Sequence, residues 1–218
     1  MAIKLANRLD TPPETRGFRA MAGQVEPLES GLDFIEKRYL LAVARLAVGH
    51  YLASGSPPGF KLWETPSPRI AREKASFVTI YAHASLRGCI GSLQAHRPLI
   101  YDVLENAVSS AFHDERFPPL GEAELPHVRF SISILEELVP FRANAGADLL
   151  EGIEQGKHGL VIRKGASMAT YLPHVWRAFP EKEDFLKNLC IKAGLHGDEW
   201  KEPRHMDFFT FEAQEFSE

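Results

Sequence analysis

The sequence predicts an α+β fold with mainly antiparallel sheets flanked by helices. Three observations carry this. Strand-like segments recur in both halves of the 218-residue chain, helical patterns are interleaved with them, and several neighbouring strands have too little chain between them for a crossover helix, which requires antiparallel pairing. Length alone leaves open whether the core is one large domain or two small lobes.

Residues 1–29 mix Pro, Gly and charge without a period and read as an extended lead-in, so the folded body is expected from Ser30. There "SGLD" offers a capping box between Ser30 and Asp33. A helix follows to about Ala53 and ends at the breaker cluster "SGSPPG". "ASFVTIYA" (75–82) places Phe77, Thr79 and Tyr81 on one face and Val78, Ile80 and Ala82 on the other, a strand buried on at least one side. "LRGCIGSL" (86–93) reads as a second strand.

From Pro98, suited to a first helical turn, to about His113, apolar residues recur at Ile100, Val103, Leu104, Ala107, Val108, Ala111 and Phe112, the spacing of an amphipathic helix. "HVRFSISIL" (127–135) alternates strictly, so the face of Arg129, Ser131 and Ser133 is wet or lines a cleft. The last third reads as a Gly-rich turn "EGIEQGKHG", a strand "LVIRKG", an extended piece "MATYLP" and a helix from about Glu183 to Ala193 stopped by Gly194. "DFFTFEAQEF" is expected as one final strand.

Composition narrows the function classes. With 44% hydrophobic and 25% charged residues the chain is an ordinary globular protein. Acidic residues outnumber basic ones, 29 to 25, and the basic ones are scattered, so nucleic acid is not an expected partner. "YLLAVARLAVGHYLA" (39–53) is too short to span a bilayer and is interrupted by Arg45 and His50. No membrane association is expected. Two cysteines, with no C-x-x-C pair and no secretory signal, point to reduced thiols in a cytoplasmic protein.

Cofactor motifs fail on spacing. "GIEQGK" (152–157) has only three residues between its glycines, and His158 stands where a P-loop needs Ser or Thr, so it reads as a hairpin turn. No H-x-x-x-H or H-E-x-x-H pattern occurs among nine histidines, and no metal or cofactor is expected. In "HDERF" the residues His113, Asp114 and Arg116 either form a solvated helix end or rim a cleft.

The strongest chemical signal is Cys89, set between Gly88 and Gly91. Glycine in a strand marks a bulge or a close backbone approach, so the pair is expected to leave a ligand room to reach the thiol. Whether the Arg87 guanidinium shares that face depends on a bulge at Gly88. A cation beside Cys89 would populate its thiolate; the other reading is an inert thiol filling a tight space. Cys190, on the apolar face of a helix, reads as core.

"LRGCIGSL", "RPLIYDVLENAVSSAFHDERFPPL", "GKHGLVI", "ATYLPHVW" and "FLKNLCIKAGL" occur in an order and spacing that resemble the AMMECR1 family, in the bacterial branch called AmmeMemoRadiSam system protein A. The resemblance runs from about Gly31 to the C-terminus. It implies an AMMECR1 domain over 30–218, two unequal lobes with a cleft near residues 86–93, and genomic association with a MEMO-like protein and a radical SAM enzyme. It supplies no established reaction. Carried over by motif are Arg87, Gly88, Cys89 and Gly91, with His158, Gly159, Thr170 and Tyr171. His113 and Asp114 follow less closely, since the family commonly has Arg-Asp there, and His174 replaces an acidic or amide residue.

Two functions are therefore expected. In the first, Cys89 is a nucleophile or carrier, His158 or His113 its proton acceptor, and Arg87, Gly88, Gly91, Asp114, Arg116, Thr170 and Tyr171 hold a small anionic substrate. In the second, the Arg87–Gly91 segment is a groove that docks a partner or metabolite without catalysis.

Overall fold

The computed structural model describes residues 4–5, 31–59 and 67–218. The expected lead-in lies outside the described residues apart from Lys4–Leu5, and so does Ser30. The first helix, α1 (Phe34–Ser54), is capped one turn later than expected. Asp33 is its N-cap, accepting from the Glu36 N–H at 2.9 Å while the Glu36 carboxylate accepts from the Asp33 N–H at 2.9 Å. Glu36 completes the box because its longer side chain reaches back to the cap amide. Gly55, in the left-handed region at φ 72°, ends the helix.

The remaining elements are β1 (Lys4–Leu5), β2 (Ser76–Ala82), β3 (Ser85–Gly91), α2 (Leu99–Phe112), β4 (Val128–Leu135), β5 (Val139–Phe141), α3 (Gly146–Gly152), β6 (Gly159–Lys164), β7 (Ser167–Tyr171), α4 (Lys182–Lys192), β8 (Asp207–Phe211) and β9 (Ala213–Ser217). The described strands form two sheets, in the orders β1-β3-β2-β4-β9 and β5-β8-β6-β7. Every pairing is antiparallel except β1 on β3. The fold is α+β, as the sequence predicts.

Two expectations need correction. The last strand is two: β8 pairs with β5 and β6 of the second sheet, and β9 crosses to β4 of the first. Glu212 lies between them, so the chain tail ties one sheet to the other. "EGIEQGKHG" is not a hairpin turn either; it begins at the end of α3 and turns through Gly156 (φ 78°) into β6.

The side-chain alternation of the strands builds three apolar layers. Val78, Ile80, Phe130 and Ile132 face α1 and α2. Leu160, Ile162 and Phe208 face α4 with Trp176 and Trp200. Between the sheets, Phe77, Cys89 and Leu135 of the first meet Val161, Leu172 and Phe211 of the second.

Asp102, fully buried on α2, locks that helix to the first sheet. It accepts from the Ser76 N–H (2.8 Å) and hydroxyl (2.6 Å), from Ser92, from Arg97 and from Asn106. A buried carboxylate satisfied by this many donors is a rigid joint. No helix of the described residues is long and apolar enough to cross a membrane.

Candidate functional site

The glycines flanking Cys89 serve packing, contrary to the expectation that they leave a ligand room. A Cβ on Gly88 would lie 2.0 Å from the Ser110 carbonyl oxygen, so α2 rests directly on the β3 backbone. A Cβ on Gly91 would lie 2.2 Å from the Phe77 ring. Both positions are filled, and the Arg87–Gly91 stretch offers no open groove at its glycines.

Strand β3 is bulged. Ile80 pairs with Gly88 but Tyr81 pairs with Leu86, leaving Arg87 as the extra residue. The bulge does not bring the Arg87 guanidinium to the thiol. Its guanidinium binds Glu124 instead, Nε donating at 2.8 Å and Nη2 at 3.1 Å, and this contact holds the Glu124 carboxyl below the usual carboxylate range.

Cys89 is 4% exposed and faces the second sheet. Its Sγ lies 3.3 Å from the Thr79 hydroxyl, the residue opposite it on β2. Burial raises the thiol pKa, and the Thr79 hydrogen bond and the Arg116 and Lys192 charges do not offset it. The resting state is a neutral thiol rather than the thiolate that nucleophilic chemistry needs.

The loop after α2 closes on the same strand. Asp114, 4% exposed, accepts from the Cys89 N–H at 2.9 Å, and Arg116 clamps it with Nε on Oδ1 at 2.8 Å and Nη2 on Oδ2 at 2.5 Å. Arg116 Nη2 also donates to the Cys89 carbonyl at 3.2 Å. Burial alone would raise the Asp114 pKa; Arg116 and the Cys89 N–H outweigh it and hold the carboxyl low. Arg116 Nη1 is buried with no hydrogen-bond partner among the described residues.

Of "HDERF", Asp114 and Arg116 thus close on the backbone of Cys89, whereas His113 does not. His113 is exposed and meets the Tyr51 ring edge-on at 6.0 Å, on the α1 side. His158 is also elsewhere: its Nδ1 accepts from the Glu154 N–H at 3.1 Å and its carbonyl accepts from the Trp176 indole at 2.7 Å. Neither contributes to the surroundings of the thiol. Thr170 spends its hydroxyl on the Leu160 carbonyl at 3.0 Å, and the buried Tyr171 ring packs on Phe179 and Phe185.

What the second sheet brings to the cleft comes from residues absent from the sequence-based candidates. Lys192, partly buried at the end of α4, donates through Nζ to the Thr170 carbonyl and lies 4.7 Å from the Tyr171 ring centroid. Burial lowers its pKa to about 7; Arg116 pushes the same way, and an ionised Cys89 would push the other way. No ion pair joins it to a carboxylate among the described residues. Its appearance within "FLKNLCIKAGL" is the one sequence signal, and a lysine in a last helical turn ordinarily reads as a partner of the helix dipole.

Beyond Lys192 the 3₁₀ segment Pro173–Arg177 contributes His174 and Arg177. His174 Nδ1 lies 3.6 Å from the Glu215 carboxylate of β9, and burial, reinforced by Arg177 and Lys192, keeps the imidazole pKa low despite Glu215. Ser133, Trp176, Arg177 and Glu215 line the same pocket, of about 170 Å³. Tyr81, on β2, feels both Glu215 and the thiol. Burial raises its pKa, Glu215 and Cys89 add to that, and Arg129 and Arg177 oppose it. The wet face expected for β4 is real only at Arg129, which is exposed; Ser131 and Ser133 are both buried, and Ser133 lines the pocket.

Arg116 thus acts on Lys192, and Lys192 and Arg177 both act on His174; the carboxylates nearby are Asp114, already clamped, and Glu215, shared with His174. Among the described residues no three His, Cys, Asp or Glu side chains cluster to hold a metal ion.

Comparison with known proteins agrees with this architecture. The AMMECR1 family profile matches residues 41–216. Protein MK0488 of Methanopyrus kandleri is 36% identical over 196 residues, which cover 86% of this chain and 90% of that protein. A protein of Methanococcus aeolicus is 34% identical over 200 residues, 86% of this chain and 93% of its own. The crystal structure of the uncharacterized protein PH0010 from Pyrococcus horikoshii superposes with a TM-score of 0.79 at 28% identity, over 84% of this chain and 92% of that one. With a match that takes in both sheets and relatives aligned over nearly their whole length, the chain belongs to the AMMECR1 family.

Proposed function

We propose that the cleft between the two sheets binds a small anionic metabolite. Arg116, Lys192 and Arg177 are its cationic contacts, and His174 and Tyr81 are neutral hydrogen-bonding groups. The observation that carries this is Lys192, a partly buried amine beside Arg116 with no carboxylate paired to it among the described residues. Arg116 is neutralised by Asp114, but a partly buried lysine beside it with no carboxylate of its own is costly to charge unless a ligand supplies the negative charge. A covalent role for Cys89 would need its proton removed first, and neither His113 nor His158 stands beside it.

The metabolite reading keeps the anionic substrate expected from the sequence and moves the acting residue from Cys89 to Lys192. Division into an extension over 1–29 and an AMMECR1 domain over 30–218, membership of the AmmeMemoRadiSam branch, and joint action with MEMO-like and radical SAM proteins rest on the motif resemblance. Cytoplasmic placement rests on the two free, buried thiols.

Calorimetric titration with pyruvate, lactate, phosphate and sulfate tests the reading. At least one should bind saturably, and Lys192→Met or Arg177→Gln should weaken it by about tenfold or more, about 1.4 kcal/mol. Undiminished binding by both variants, or no saturable binding by any anion, would overturn it.

A further inference from the structure

Lys192 combines three features seldom found in a lysine that serves only solubility. Its Nζ is turned in toward the Thr170 carbonyl and the Tyr171 ring. The charged or titratable groups near enough to act on it are Cys89 and Arg116, and it acts in turn on His174. Among the described residues no carboxylate pairs with it. Desolvation beside a second cation is how proteins prepare a lysine amine for covalent work.

We infer that Lys192 is a covalent attachment site for the carbonyl of a small anionic aldehyde or ketone, a 2-oxo acid being the simplest example. This rests on the anion-binding reading of the cleft. The Nζ lone pair attacks the carbonyl carbon, forming a C–N bond; the nitrogen loses its two protons, the carbonyl oxygen gains two and leaves as water, and an imine remains. The net change is amine plus carbonyl to imine plus water, with no oxidant or reductant. His174, held neutral by its burial, is the acceptor for the proton that leaves nitrogen. Arg116 Nη1, buried without a partner among the described residues, is the free donor for the carboxylate.

A lysine whose pKa is about 7 is half neutral at pH 7, whereas an ordinary lysine with pKa ~10.4 is neutral to about one part in a few thousand. The native protein is incubated with pyruvate and sodium cyanoborohydride at pH 7, which reduces any imine to a stable secondary amine, and the labelled lysines are located by peptide mass spectrometry. Lys192 should label at least about tenfold faster than the exposed Lys187 and Lys201. Labelling no faster than theirs would overturn the imine.

Lactate, which has the same carboxylate and no carbonyl, separates the two readings. If lactate binds and Lys192 shows no preference, the imine fails and the anion cleft stands. Preferential labelling that lactate neither slows nor accompanies with binding would sink the anion cleft while leaving the reactive amine. Preferential labelling that lactate slows supports both.

Discussion

The backbone N–H of Cys89 donates to Oδ2 of Asp114 at 2.9 Å, and that one bond fixes the loop after α2 to the strand that carries the thiol. Asp114 in turn orients Arg116 over the Cys89 carbonyl. The carboxylate is therefore a positioning group for the cationic side of the cleft.

Asp114→Asn should destabilise the protein by about 2–4 kcal/mol near neutral pH, because Arg116 keeps its burial and loses its counter-charge. The folded-state pKa of Asp114 is depressed, so its contribution is complete above the unfolded value of ~3.9 and fades as pH falls through the lower folded value. Urea unfolding from pH 7 downward should show wild type and variant converging in acid. A constant gap across that range would contradict the pairing.

Gly88→Ala should cost more than Gly91→Ala. The first meets a backbone carbonyl at 2.0 Å that moves only with α2, and the second meets a side-chain ring at 2.2 Å that has some freedom to shift. Overpacking of this kind costs about 1–3 kcal/mol and more where backbone must move. Thermal melts of the two variants give the order directly.

Iodoacetamide should label Cys89 in the folded protein at least about a hundredfold more slowly than in urea at the same pH, since burial both hides the thiol and keeps it protonated. Cys190, fully buried with its pKa pushed up to about 11, should behave alike. Rapid labelling of Cys89 alone in the native state would restore it as a nucleophile.

Lys192→Met should stabilise the protein by about 1–3 kcal/mol at pH 7 while weakening anion binding, because it removes a charge that burial penalises. The folded-state pKa, about 7, lies below the unfolded ~10.4. Between these values the unfolded chain holds a proton that the folded one has released, so wild-type stability rises with pH across that window. The advantage of the variant should shrink accordingly and be gone by about pH 10.5.

Long, strongly periodic elements were legible in the sequence. The helical spacing from Ile100 to Phe112 and the alternation from Val128 to Ile134 give α2 and β4 to within a residue or two. The break at Glu212 was hidden because β8 and β9 are both strand-like, and which sheet each joins is a tertiary choice. The glycines of "LRGCIGSL" announced a close approach, but not that Ser110 and Phe77 were what approached. Lys192 was illegible as a site residue, since its neighbours Arg116, Cys89 and His174 are brought to it by the packing of one sheet on the other.

The most direct test of a charge-starved cationic cleft is the titration of Lys192 itself, followed by NMR on protein with ¹³C-labelled lysine, with Lys192→Met assigning the signal. The amine should titrate near the folded value of about 7, and the midpoint should rise when a binding anion such as pyruvate or phosphate is added, because a bound negative charge favours the ammonium. A midpoint near ~10.4 that no anion moves would contradict the account.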